Sequence, residues 1–300
     1  MTDFKSFILA LLVVVFWGIN FSVIKFGLME IPPLLFSGIR FFIVAIPAVF
    51  FVPFPRTPFC NVVLVGFFLG IMKFSLLFLA MASDASAGVS SLIIQAQVIF
   101  TILLSVLFFN ERLTRFQIMG ILLACGGFAL FFVASDGSAS IYGIILLLTA
   151  AIFWSLANIV MKRAGQVNLL HFMVWVSLIP PLPLFILSYI FETSTPFSLL
   201  FETTEKAWFA MIYVGYVSTL LAFALWGWLM VNYPVANVAP FALLIPLVGI
   251  IGANVLLGEQ LKQIELLGGG IILLGLAISV LGQMIFDHIK GKKRQNSQPL

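Results

Sequence analysis

Ten apolar tracts, each about twenty residues long, divide this chain, and they form two sets of five with matching landmarks. At 1.5 Å per residue, a helix of about twenty residues crosses a ~30 Å hydrocarbon layer. An even total places both chain ends on one side of the membrane. An odd number in each set turns the two sets upside down relative to each other. Inverted repeats of this kind recur in secondary transporters, with the binding site between the repeats near the midplane.

Composition closes the alternatives. The chain is 62% hydrophobic and 9% charged, whereas a soluble domain carries about 25% charged residues. The net charge of +4 reflects loop bias and is no sign of a nucleic-acid partner. Cys60 lies in a loop and Cys125 in an apolar tract, which gives neither a disulfide framework nor metal-ligand spacing. The first tract is too long for a signal-peptide core and lacks a small-residue cleavage site, so it is predicted to stay as a helix.

The spans are predicted over Phe7–Phe26, Pro33–Val52, Asn61–Met81, Ala85–Phe108, Phe116–Val133, Ile141–Val160, Leu170–Phe191, Lys206–Met230, Val235–Leu257 and Ile264–Phe286. Pro32-Pro33, Pro53-Phe54-Pro55, Asn110-Glu111-Arg112 and Asp136-Gly137 mark breaks. With the N-terminus in the cytoplasm, ten cations lie inside: Lys5, Arg56, Arg112, Arg115, Lys162, Arg163, Lys290, Lys292, Lys293 and Arg294. Three lie outside: Lys25, Lys206 and Lys262. That excess predicts both termini in the cytoplasm. The tail Lys290–Leu300 is basic and then polar, a composition that predicts disorder and an orientation anchor.

Phe16-Trp17 followed by Lys25 matches Phe153-Trp154 followed by Lys162 at identical spacing. Glu111-Arg112-Leu113 ahead of the fifth span matches Glu259-Gln260-Leu261 ahead of the tenth. The second pair is further apart, and the extra residues fit the loop Glu192–Glu205. Two landmarks in one order predict a duplication, with a first repeat over 1–135, a second over 136–286 and a tail over 287–300.

The order Phe16-Trp17-Gly18-Ile19-Asn20-Phe21, Pro32-Pro33, Arg40-Phe41, Ser91-Leu92 with Gln95-Ala96-Gln97, then Glu111-Arg112-Leu113 resembles the EamA family of the drug/metabolite transporter superfamily. The resemblance covers everything but the tail. It implies an all-α membrane protein whose ten transmembrane helices form two inverted five-helix repeats in the bacterial inner membrane. It also implies export of small metabolites, and within the family the chain looks closest to exporters of O-acetylserine and cysteine.

Charge inside the membrane costs about 2.5–3.5 kcal/mol even on the lenient insertion scale, so each case needs a reason. Lys73 lies roughly 13–15 Å below the outer end of the third span, too deep for easy snorkelling. Arg40 lies roughly 10 Å below the outer end of the second, where a functional role and pairing with Glu30 are both open. Lys25 and Lys162 fit interfacial anchors, as does His171 at an inner helix end. No Asp or Glu lies deep in any span; Glu265 stands at the very start of the tenth. A cavity holding Arg40 and Lys73 attracts a carboxylate and repels lipophilic cations.

Trp17, Asn20 and Phe21 share one helix face, as do Trp154 and Asn158. Ser90, Gln97, Thr101 and Ser105 line one side of the fourth span, with Ser91 and Gln95 on another. Gln95 and Gln97 point about 200° apart, so one is expected to face the cavity, preferably Gln97, and the other to tie helices together. The predicted substrate site is therefore Trp17, Asn20, Arg40, Lys73, Gln97, Trp154 and Asn158. Pro47, Pro180, Pro181, Pro183, Pro240 and Pro246 are expected to kink their spans. Gly120, Gly126, Gly127, Gly268, Gly269, Gly270 and Gly275 suit close helix packing.

The chain has no GxxxxGK[ST] loop, no HExxH and no Cys/His cluster. Asp84, Asp136 and Asp287 stand apart from other carboxylates along the chain. No catalytic residue, metal or cofactor is expected. The reading is an alternating-access carrier that exports amino-acid-like metabolites bearing a carboxylate. The alternative is a carrier of nucleobase- or nucleotide-related metabolites such as S-adenosylmethionine, with uptake as the other direction.

Overall fold

The computed structural model describes residues 4–133 and 138–295. Asp136-Gly137, one of the predicted breaks, and residues 296–300 of the tail lie outside them. Among the described residues there is helix and connecting turn but no strand. The spans are α1 (Phe4–Leu28), α2 (Pro33–Ala48), α3 (Phe59–Ser83), α4 (Ala87–Phe109), α5 (Arg115–Val133), α6 (Ile141–Ala164), α7 (Leu169–Phe191), α8 (Glu205–Asn232), α9 (Asn237–Leu257) and α10 (Gln263–Gln295). Nine are long and apolar enough to cross a membrane, and α2 is a shorter apolar helix. A short helix over Pro196–Glu202 sits in the loop before α8.

Several boundaries shift by a few residues, and two of the shifts change a reading. The second span stops at Ala48, so Pro47 ends a helix instead of kinking one. The last helix runs on to Gln295, past the point where disorder was expected.

Because consecutive spans run in opposite directions, α1 starts and α10 ends on the same side, called here the terminal face. The even-numbered helices all begin on the other, distal face. Their first N–H groups have no intrahelical partner and carry the positive end of the helix dipole. The acidic residues answer that need. Glu192 accepts from the Leu34 and Leu35 N–H groups at 2.7 and 3.1 Å, and Glu259 accepts from Ala87 and Gly88 at 3.0 and 3.1 Å. Glu30 accepts from the Thr204 N–H and hydroxyl, and Asp84 from the Ser140 N–H. Glu265 binds Ser138 and the Lys262 N–H. Lys25 lies in the same layer and donates to the Met81 and Ala85 carbonyls at the end of α3, a specific tie where only an anchor was expected.

Packing differs between the two halves of the membrane. In the distal half one continuous core joins both repeats, with Ile24, Phe36, Phe78, Leu92, Leu147 and Met211 fully buried. In the terminal half two separate cores replace it. One joins α3, α6 and α7 through Val65, Ala157 and Phe172. The other joins α1, α8 and α9 through Ala10, Leu229 and Val238. Large side chains such as Leu122, Ile190 and Val133 are exposed, which suits a lipid-facing surface.

Helices α5 and α10 pack face to face through glycine. A Cβ on Gly127 would lie 2.7 Å from the Gly268 carbonyl oxygen, and one on Gly275 would lie 2.6 Å from the Gly120 carbonyl oxygen. Gly126 and Gly270 face open space and Gly269 meets Leu92 of α4, so only part of the glycine set serves this contact.

Irregularities recur at matching places in the two repeats. The third helix of each carries a π-helical stretch, Gly66–Lys73 in α3 and Tyr213–Leu221 in α8. The fourth of each breaks midway, after Ile93 in α4 and after Ala242 in α9. Tight i→i+3 bonds close the gaps, Gln95 N–H to Leu92 O at 3.1 Å and Leu243 N–H to Pro240 O at 3.1 Å. The break in α9 therefore precedes Pro246, while Pro240 sits within a helical segment. In α7 the helix stops at Val176 and restarts at Pro181, as its prolines predict.

Candidate functional site

Arg40 and Lys73 come together where the two π-helical stretches face α2. The Arg40 guanidinium lies 3.8 Å from the centre of the Phe74 ring, with Phe41 at 4.5 Å and Phe78 at 5.8 Å. The Lys73 ammonium lies 3.4 Å from the same Phe74 ring and 4.5 Å from the Trp154 ring. Both cations are buried, at 3% and 5% exposure. Neither has a carboxylate within 4 Å among the described residues. Aromatic faces offset part of the desolvation of a cation, worth about 2 kcal/mol or more when water is excluded. A carboxylate would offset more.

Arg40 does not pair with Glu30, which is held by Thr204 at the distal face. It donates instead through Nη2 to the Thr219 hydroxyl of α8, over a long 3.3 Å, and its Nε is buried without a partner. Thr219 in turn donates to the Val214 carbonyl at 2.9 Å, five residues back, within the π-helical stretch.

Trp17 closes the neighbouring side. Its indole N–H donates to the Ser218 carbonyl at 2.9 Å, and its ring packs on Phe223 and Trp226 at 5.2 and 5.3 Å. Asn20, one turn along α1, is buried with its Oδ1 unpartnered. The Tyr213 hydroxyl donates to the Phe16 carbonyl at 3.1 Å.

Gln97 and Asn158 meet directly. The Asn158 amide donates to Gln97 Oε1 at 2.8 Å and to the Thr101 hydroxyl at 3.1 Å. Gln97 is thus itself the residue that ties helices, the role expected of its neighbour. The polar strip continues to the terminal face through Ser105 and the Lys162–Glu111 ion pair at 2.6 Å. Beside it lies a cavity of about 100 Å³ lined in part by Thr101, Ser105, Glu111 and Arg112. It is separate from the cation pair, which is packed shut.

The seven sequence-predicted residues therefore form a chain of neighbours: Arg40 and Lys73 on Phe74, Lys73 on Trp154, Asn158 one turn further on α6 and bonded to Gln97. Trp17 joins from α1 through Ser218, next to Thr219, and Asn20 lies one turn further along the same helix. Sequence reasoning missed Phe74, Thr219 and Tyr213, and it placed Thr101 on the Gln97 face without assigning it to the site. The polar run Tyr213–Thr219 inside an otherwise apolar span was the available signal.

Comparison with known proteins agrees with this architecture. Residues 4–133 and 141–281 each match the EamA-like transporter family. The chain is 39% identical over 285 residues to a probable amino-acid metabolite efflux pump of Salmonella typhimurium, covering 93% of this chain and 95% of that protein. A protein of the same description from Escherichia coli strain K12 is 38% identical over the same shares. The uncharacterized inner membrane transporter YedA of that strain is 24% identical, covering 91% and 89%. A solved crystal structure, 16% identical, superposes with a TM-score of 0.61 over 93% of this chain and 98% of its own, a likeness of fold. This multi-pass helical protein is a metabolite transporter, not an enzyme, and the chain belongs to the EamA-like transporter family.

Proposed function

We propose that the protein exports small amino-acid-like metabolites, of the cysteine and O-acetylserine kind, by alternating access, and that Arg40 and Lys73 bind the substrate carboxylate. The single observation that supports this is the sharing of Phe74 by two buried cations with no carboxylate near them. An anion placed there gains charge-assisted hydrogen bonds in a low-dielectric setting. The efflux-pump description of the similar proteins points the same way. S-adenosylmethionine also carries an amino-acid carboxylate, but its sulfonium would sit close to two cations with no carboxylate within 4 Å among the described residues. The division of the terminal half into two cores supplies the bodies that alternating access needs. The cation excess supports a cytoplasmic terminal face carrying both termini.

Purified protein in liposomes tests the reading. Labelled O-acetylserine should be transported, and unlabelled amino acids should compete while their amides and methyl esters compete poorly. Equal competition by acid and amide would overturn the carboxylate assignment.

A further inference from the structure

We infer that Thr219 is the resting partner of Arg40, and that the substrate carboxylate displaces it to release α2 from α8. This rests on the carboxylate reading above. Nε and Nη2 are the two donors of the side-on fork of a guanidinium, the edge that grips a carboxylate with two parallel bonds. In this structure Nε is buried and unpartnered, and Nη2 spends a long 3.3 Å bond on a neutral hydroxyl. A site built to stay closed would satisfy both donors. One that satisfies them weakly leaves them ready for a better acceptor.

The location gives the exchange its consequence. Helices α1, α8 and α9 share one terminal-half core, while α3, α6 and α7 share the other. Helix α2 packs with the second group through Phe41, Ile71 and Leu184. Arg40 to Thr219 therefore bridges the two groups at mid-membrane. The contact is tight around it: a Cβ on Gly215 would lie 2.9 Å from Ile43 Cδ1 and 3.3 Å from the Arg40 carbonyl. Thr219 also closes the π-helical stretch through Val214, so the bond joins α2 to the least regular part of α8. Turning Arg40 toward a carboxylate leaves α8 free to part from α2 and opens the distal half.

Thr219→Val removes the hydroxyl at nearly constant volume, and Thr219→Ser keeps it. The reporter is Ala207→Cys, fully buried in the distal core, in a protein lacking Cys60 and Cys125. Without substrate, Thr219→Val should raise the rate of labelling by a thiol reagent several-fold. It should lower the KM for O-acetylserine by about tenfold, because substrate no longer competes with the hydroxyl. Thr219→Ser should restore both values, which a merely structural role for the residue would not predict. Unchanged labelling and KM in Thr219→Val would overturn the inference while leaving carboxylate binding intact. Faster labelling in a protein that carries no amino acid would uphold the lock and overturn the substrate reading.

Discussion

Lys73 of the first repeat stands 4.5 Å from the centre of the Trp154 ring of the second. This contact joins the deepest cation of one half of the chain to the landmark tryptophan of the other. Lys73→Met should lower transport by more than tenfold, with protein level and membrane insertion near those of the wild type. Lys73→Arg should keep part of the rate, since a guanidinium also stacks on aromatic faces. Rates in liposomes, normalised to inserted protein, check this. Full activity in Lys73→Met would make the lysine a tolerated residue.

The crossing of α5 and α10 predicts opposite outcomes at adjacent glycines. Gly127→Ala pushes a methyl against the Gly268 carbonyl and should destabilise by about 1–3 kcal/mol. Gly126→Ala meets nothing within 4 Å and should be neutral or slightly stabilising. Thermal unfolding in detergent micelles, with the two variants side by side, separates them.

Glu30 gives a pH signature at the distal face. The Thr204 hydroxyl, and then the Thr204 N–H, hold its carboxyl below the ordinary value of 4.5. A depressed folded value means that its contribution is complete above the unfolded pKa and is lost as pH falls through the folded one. The stability gap between wild type and Glu30→Gln should therefore stay constant from pH 7 to about 5 and close on further acidification. A gap that widens in acid would contradict this.

Orientation is open to direct labelling. In a background without Cys60 and Cys125, Thr203→Cys at the distal face should react with an impermeant thiol reagent in intact cells. Gly291→Cys should react only after the membrane is opened. Reaction at Gly291 with protection at Thr203 would invert the proposed topology.

What the sequence determined by itself was the environment, the number of spans and the twofold repeat. These follow from tract length and from the cost of exposing an unpaired backbone to lipid, which act on each segment separately. The seven candidate residues stood out for a related reason: a polar, charged or indole group at membrane depth is conspicuous against an aliphatic background. What only the tertiary structure decided was how those groups are used. Arg40 was open to Glu30 along the chain, yet Glu30 is drawn to the dipole end of α8, and Arg40 is left with a threonine from the other repeat. Gln97 was expected to face the cavity, but Asn158 of α6 stands opposite and takes its carbonyl. The π-helical stretches of α3 and α8 were not legible either, since neither sequence carries a Pro to mark the departure. The distal capping belt was hidden as well, since Glu30, Asp84, Glu192 and Glu259 each satisfy a helix start in the other repeat, a match that exists only once the two repeats have folded together.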